Sequence, residues 1–206
     1  MHDPASRPAN RARSLLHVAS GLFALAVIVT VPPSWLPWIA GAMFVWAWTM
    51  EIGRRNSAAV NRLLMWVFGP VAHPHEARNV NSATWYSTAL FGLALVATPL
   101  ECALAVTVLG FGDPAAGLVG RRFGTIRLAA GRSLEGTLAF VVAGTLAAAA
   151  ALTVCFPEIA TGETWALAFG SAVAGALGEL FTRRVDDNLV IPLAAAAGAA
   201  AVAAAF

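Results

Sequence analysis

Apolar residues gather along this chain in long blocks separated by short polar or proline-marked breaks, and seven blocks approach the roughly 20 residues that a membrane-crossing helix needs. The first covers about residues 15–31 and stops at Pro32 and Pro33; the second starts near Trp35 and ends before Arg54 and Arg55. The third covers about 83–98, the fourth 102–119, the fifth 134–155, the sixth 164–181 and the last 189–206, with a tight turn expected at Pro99. Between the second and third blocks the pattern changes. Val60, Leu63, Leu64, Val67 and Phe68 recur at helical spacing beside Asn61 and Arg62, which suits a helix lying in the membrane interface near 57–69 and ending at Gly69 and Pro70. The pattern predicts an all-α, polytopic transmembrane helical bundle of about seven spans, with one membrane domain over 13–206 behind a short tail at 1–12.

Composition agrees, since 59% of the 206 residues are hydrophobic and only 12% are charged, against about 25% charged in soluble domains. The kind of charge says more than its amount. All 13 basic residues are Arg, and the chain contains no Lys. That excludes a Walker A loop, the strand lysine of protein kinases and Schiff-base chemistry, all of which need an amine. Any phosphate handled here is handled by guanidinium groups. A net charge of +2 and a pI near 8.9 make no case for nucleic-acid binding.

The positions of the arginines set an expected orientation, because cytoplasmic flanks accumulate them. Arg7, Arg11 and Arg13 precede the first block; Arg54, Arg55, Arg62 and Arg78 lie between the second and third; Arg121, Arg122, Arg127 and Arg132 between the fourth and fifth; Arg183 and Arg184 after the sixth. Seven alternating spans put all of them on one side, so the amino terminus is expected in the cytoplasm and the carboxyl terminus outside. The opposite loops carry only Glu101, Glu158 and Glu163 as charges. Trp35, Trp38 and Trp165 would anchor the outer interface, and Trp66 and Trp85 the inner one. Arg7 and Arg11 before an apolar run superficially resemble a signal peptide, but no small-residue cleavage site follows cleanly, and an uncleaved first span is expected. Cys102 and Cys155 lack metal or redox spacing; near the outer span ends they are either buried thiols or a disulfide.

Chemistry concentrates in three places. Asp113 sits far inside an apolar run, where a charge costs about 2.5–3.5 kcal/mol on insertion scales and usually faces a polar cavity. Gly110, Gly112, Gly117 and Gly120 around it permit close approach of a polyanion or of another backbone, and Gly117, Gly120 and Gly124 also suit plain helix packing. Next, Ser133 and Glu135 open the fifth span: Ser133 is a natural N-cap, and Glu135 favours a first turn. The same helix start, with Arg127 and Arg132, can instead receive phosphate oxygens. The third place is Glu179, on a small-residue surface, followed by Asp186, Asp187 and Asn188, where Asp187 or Asn188 equally suits the cap of the last helix. Carboxylates from separate helices at one depth are what a hard divalent cation needs. In the first half, Arg13 and His17, and Glu51 and Arg54, each share a helical face. His73 and His75 beside Glu76 only superficially resemble a metal motif.

The run from Gly112 to Gly124 (GDPAAGLVGRRFG), the RSLEG at 132–136, Glu179 and the DNLVIP at 187–192 resemble in order and spacing the membrane lipid-alcohol kinases that include dolichol kinase, phytol kinase and CTP-dependent diacylglycerol kinase. Arg13 with His17, and Glu51 with Arg54, are similar to that family's amino-terminal motifs. The resemblance implies transfer of the terminal phosphoryl group of CTP, with Mg²⁺ or another divalent cation, to the hydroxyl of a membrane alcohol such as a polyprenol, phytol or diacylglycerol. Under it, Asp113, Arg13 and Glu135 are catalytic candidates, and Asp113, Glu135, Glu179 and Asp187 are metal-ligand candidates. Gly112, Gly117, Gly120, Arg121, Arg122, Arg127, Arg132 and Ser133 would bind the nucleotide. His17, Glu51, Arg54 and Asn188 would touch the substrate or support those that do. Ser14 and the loop arginines stand where the family commonly has Lys. Two other readings use the same residues: a cytidylyltransferase joining CTP to a lipid phosphate, and a membrane transporter or lipid-binding protein with Asp113 and Glu179 along an ion path.

Overall fold

A computed structural model describes residues 11–68, 79–181 and 185–206. Arg7, His73, His75, Glu76, Arg78, Arg183 and Arg184 lie outside the described residues. The elements are α1 (Arg11–Thr30), α2 (Leu36–Asn56), α3 (Ala58–Phe68), α4 (Ser82–Val96), α5 (Pro99–Phe123), α6 (Leu134–Cys155), α7 (Thr161–Phe181) and α8 (Asp187–Ala203). Short 3₁₀ turns occur at Pro33–Trp35 and Ala129–Gly131. No β-strand occurs among the described residues, so the all-α expectation holds.

Helix α5 is the axis of the bundle. Every residue from Cys102 to Gly110 is buried, and α1, α6, α7 and α8 pack around it, while α4 links α8 to α2, and α3 joins α2. The start of α5 is fixed by local chemistry: Thr98 accepts from the Glu101 N–H, Glu101 accepts in return from the Thr98 N–H, and Pro99 occupies the first turn, where its missing donor costs nothing. Its end falls later than the apolar pattern implies, because the helix runs on through Arg121 and Arg122 to Phe123. Basic side chains suit the negative end of a helix dipole, and a hydropathy reading stops before they do.

Small residues set how closely the helices approach. A Cβ on Gly21 would stand 3.0 Å from the Val106 carbonyl, and one on Gly136 would stand 2.9 Å from the Ala116 carbonyl, so backbone meets backbone at the α1–α5 and α5–α6 crossings. The outer surface is apolar: Phe23, Trp38, Val45, Val142 and Val154 are among many large exposed side chains, whereas Glu179 and Ser171 are fully buried. Among the described residues three helices are long and apolar enough to cross a membrane, Ala12–Thr30, Pro99–Phe123 and Leu134–Cys155; Ser82–Val96 and Asp187–Ala203 are apolar but shorter. Cys102 and Cys155 are both free thiols.

Candidate functional site

Between α5 and α6 the chain forms a small hairpin, with antiparallel bridging of Arg127 to Ser133 and a tight turn in which Ala130 and Gly131 take positive φ angles of 54° and 75°. Leu128 donates to the Arg132 carbonyl at 2.8 Å, and Leu134 donates to the Ile126 carbonyl at 2.9 Å. This fold-back carries Arg132 inward to α7 and α8. Its guanidinium stands 3.1 Å from Glu179 Oε1 and makes a second ion pair with Asp187 Oδ2. Burial presses that guanidinium toward losing its proton, but the charges of Asp187, Glu179 and Asp113 outweigh burial and hold its pKa above the ordinary value.

Asp113 from α5, Glu179 from α7 and Asp187 from α8 therefore converge on one arginine. Three carboxylates against one guanidinium leave a negative excess, which a triphosphate would not approach without a cation between. Both carboxylate oxygens of Glu179 are buried without a hydrogen bond from a described residue, although Oε1 has its ion pair with Arg132. Among the described residues no group of three metal-ligating side chains stands together as a ready-made cage. Mg²⁺ ordinarily takes one or two carboxylates and fills its shell with water and substrate phosphate. The all-oxygen donor set, its negative excess and a buried Glu179 carboxylate whose Oε2 has no hydrogen bond from a described residue fit such an ion.

Glu135 is engaged with the hairpin. It accepts from the Thr125 N–H at 2.9 Å, from the Thr125 hydroxyl and from the Ile126 N–H at 3.3 Å, so it braces the hairpin. Ser133 caps α6 by accepting from the Gly136 N–H, and it is buried against Gly120 and Gly124. Gly112 lies against the Phe140 ring, and the Arg121 side chain folds over Gly117. Arg121, Arg122 and Arg127 are exposed at the same end of the bundle, with Arg122 5.4 Å above the Phe123 ring. The cap of α8 is Asp186, which accepts from the Asn188 N–H at 2.9 Å; neither Asp187 nor Asn188 fills that role.

The four residues grouped above as substrate contacts or their supports come together at one place. His17, Glu51, Arg54 and Asn188 all line a cavity of about 340 Å³, which Arg13 also lines and which opens between α1, α2, α3 and α4. Glu51 is 2% exposed and fully engaged there: Arg54 donates to both its oxygens at 2.7 and 2.8 Å, Arg55 at 2.6 Å and the Asn81 N–H at 3.3 Å. Arg13 donates to Ser82 Oγ at 3.2 Å, and Ser82 donates to Asp186 at 2.9 Å, tying α1, α4 and the head of α8 together. His17 Nε2 stands 4.0 Å from Asp113 Oδ2 and so joins the cavity to the carboxylate cluster.

Two lining features escape a reading of the sequence. Tyr86, the chain's single tyrosine, lines the cavity with its hydroxyl buried and without a hydrogen bond from a described residue. Prolines inside α5 and α8 are the other. Pro114 and Pro192 have no N–H to give to the carbonyls four residues earlier, those of Gly110 and Asn188, and both of these residues line the cavity. A polar residue amid apolar ones and a proline inside an apolar block are visible signals, but nothing in the sequence says that they meet.

Comparison with known proteins extends the resemblance over most of the chain. It is 28% identical over 207 residues to CTP-dependent diacylglycerol kinase 1 of Schizosaccharomyces pombe, covering 89% of each chain. It is also 28% identical over 204 residues to phytol kinase of Synechocystis sp., covering 92% of this chain and 78% of the relative. No protein-family model and no solved structure matches it.

Proposed function

We propose that this chain is a membrane lipid kinase that transfers the terminal phosphoryl group of CTP to the hydroxyl of a lipid alcohol, in a bundle of seven spans with its site at the cytoplasmic surface. The reading is supported by its likeness to two kinases, one CTP-dependent and acting on diacylglycerol, the other acting on phytol. The observation that carries it is the meeting of Asp113, Glu179 and Asp187 around Arg132, beside a cavity open between helices.

Phosphoryl transfer asks a protein for in-line positioning and for neutralisation of charge on the transferred group, with little covalent chemistry. One or two of the Asp113, Glu179 and Asp187 carboxylates would hold a divalent cation such as Mg²⁺, which when bound would shield the phosphate oxygens. Arg132 is already charged and already placed, so it can pass from its carboxylate partners to a phosphate oxygen. Arg121, Arg122 and Arg127, on the exposed rim, would take the remaining phosphates. Glu135 serves by fixing the hairpin that positions Arg132.

The test is direct. Purified protein, labelled CTP or ATP, Mg²⁺ and a panel of phytol, a longer polyprenol and diacylglycerol should yield a phosphorylated lipid and CDP from CTP. Release of pyrophosphate would point to nucleotidyl transfer, and lipid binding without any transfer would overturn the enzyme reading. Asp113→Asn should lower turnover by at least about 100-fold while the variant elutes and melts as the parent does; normal turnover would remove Asp113 from the site.

A further inference from the structure

The cavity between α1, α2, α3 and α4 has two unlike ends. Leu16, Trp46, Met50, Leu64 and Met65 make an apolar wall on its α1, α2 and α3 side. Leu16 and Trp46 are also 51% and 59% exposed, and α1 packs mainly on α5 while α2 packs mainly on α4, which puts the mouth of the space on the apolar outer face between α1 and α2. The other end reaches Gly110 and Asn188. Gly110 lies three residues before Asp113 on α5, and Asn188 directly follows Asp187 on α8, so this end adjoins the helices that carry the carboxylate cluster. A ligand here has its tail toward lipid and its head toward Arg132 and its partners.

Most donors in that lining are committed to acceptors of the protein itself. Arg54 donates to both Glu51 oxygens and to the Asn79 carbonyl, and the Asn81 N–H donates to Glu51. Arg13 donates to Ser82, while Ser82 and the Asn188 side-chain amide both donate to Asp186. His17 is engaged as well, facing Asp113. Against these, the Tyr86 hydroxyl is buried without a hydrogen bond from a described residue. The Gly110 and Asn188 carbonyls lack the helical donor that Pro114 and Pro192 cannot supply. One phenol that donates and two carbonyls that accept suit a single alcohol hydroxyl, which does both. They do not suit ester carbonyls, which only accept: the two of a diacylglycerol would lose water and meet donors already spent. Size points the same way, since about 340 Å³, at roughly 30 Å³ for each water-sized group, holds on the order of a dozen non-hydrogen atoms. That is a hydroxyl and the first stretch of one chain, not a glycerol with two acyl arms.

We infer that this cavity selects a single-chain alcohol with one hydroxyl and no ester, and that Tyr86 is the residue that positions it; the inference rests on the kinase reading above and narrows its substrate class. The alcohol enters from the bilayer between α1 and α2, past Leu16 and Trp46, and its first carbons lie along Met50, Leu64 and Met65. Tyr86 donates its hydroxyl hydrogen to the alcohol oxygen, and the alcohol donates its own to a carbonyl that proline leaves without a helical partner. The rest of the chain stays in lipid, so its length is not what the cavity measures.

Binding measured without nucleotide tests this on the full-length protein, separately from the kinase reading. A single-chain alcohol bearing a diazirine a few carbons from its hydroxyl should, on irradiation, label the peptides that carry Leu16, Trp46 and Met50. Phytol should suppress that labelling at concentrations at least about 30-fold below those of dioleoylglycerol. Phytol should also compete about tenfold better than the hydrocarbon that lacks its hydroxyl, and Tyr86→Phe should bring those two within threefold of each other. In turnover, Tyr86→Phe should raise the KM for phytol about tenfold and leave the KM for CTP within threefold, a split that a general loosening of the fold would not produce. Label that maps elsewhere overturns the site, and dioleoylglycerol competing as well as phytol overturns its selectivity. An unchanged ratio of alcohol to hydrocarbon in Tyr86→Phe overturns the role of Tyr86. Competition as expected, with no lipid alcohol phosphorylated by the parent, would support the alcohol site and count against the kinase reading.

Discussion

Arg132 shows how a single residue can serve folding and chemistry at once. Glu179 is 1% exposed and, among the described residues, pairs with this guanidinium, which also pairs with Asp187. Removing one partner of a buried pair is worse than removing both, because it strands a charge in a medium that solvates it poorly. Arg132→Met should therefore destabilise the protein by about 3 kcal/mol, read as a melting midpoint several degrees lower in detergent, and should abolish transfer. Adding Glu179→Gln to that variant should recover much of the stability and none of the activity. Equal melting of the single and double variants would show that the pair does not couple. Glu51 offers the contrast: four donors converge on it, and Glu51→Gln is expected to loosen α2 from residues 79–81, seen as a lower melting temperature, before it alters any substrate contact.

Helices were legible in the sequence wherever an apolar block ended on a proline, a cap or a tight turn, as at Pro32, Thr98 and Ser133. They were misjudged where charge and helix coexist. Arg121 and Arg122 read as loop and are helix, because hydropathy records burial in lipid and not backbone geometry. Asp186, Asp187 and Asn188 can each cap a helix, so composition alone could not choose among them. The hairpin that delivers Arg132 was unreadable for a similar reason: its turn uses Ala130 at φ 54°, a conformation that alanine's sequence context does not announce. His17, Glu51, Arg54 and Asn188 could be nominated from the resemblance, but that α1 to α4 close with Leu109, Gly110 and Asn188 around one space depends on packing that the sequence does not display. Glycine positions now separate by role. Gly136→Ala would force a Cβ to within 2.9 Å of the Ala116 carbonyl and 3.2 Å of the Gly120 backbone, and should cost about 2 kcal/mol or more and shift the hairpin. Gly92→Ala meets nothing within 4 Å and should stabilise α4 by up to about 1 kcal/mol. Similar melting of these two variants would mean that the α5–α6 crossing is looser than its backbone contacts imply.

The whole molecule is polarised along its axis. From the tight turn at Ala97 and Thr98, α4 runs back for 15 residues and α5 for 25, which at 1.5 Å per residue makes α5 longer by about 15 Å. α8, at 17 residues, is also shorter than the roughly 30 Å of a hydrocarbon core. The cavity of about 340 Å³ opens beside the end where Arg13, Ser82 and Asp186 are linked and Arg132 pairs with Asp187, and such an opening is where a water-borne nucleotide and a membrane-borne alcohol can meet. Arg121, Arg122, Arg127 and Arg132 lie at that end, whereas Glu158 lies at the turn between α6 and α7. With the two native cysteines replaced, a cysteine at Arg127 should react with a membrane-impermeant maleimide only from the cytoplasmic side of sealed vesicles, and one at Glu158 only from the other. Activity should then appear only when CTP is supplied to the side from which position 127 is labelled. Labelling of both positions from one side would refute the proposed seven-span path, and turnover with CTP confined to the side of position 158 would separate the nucleotide site from the arginine-rich end.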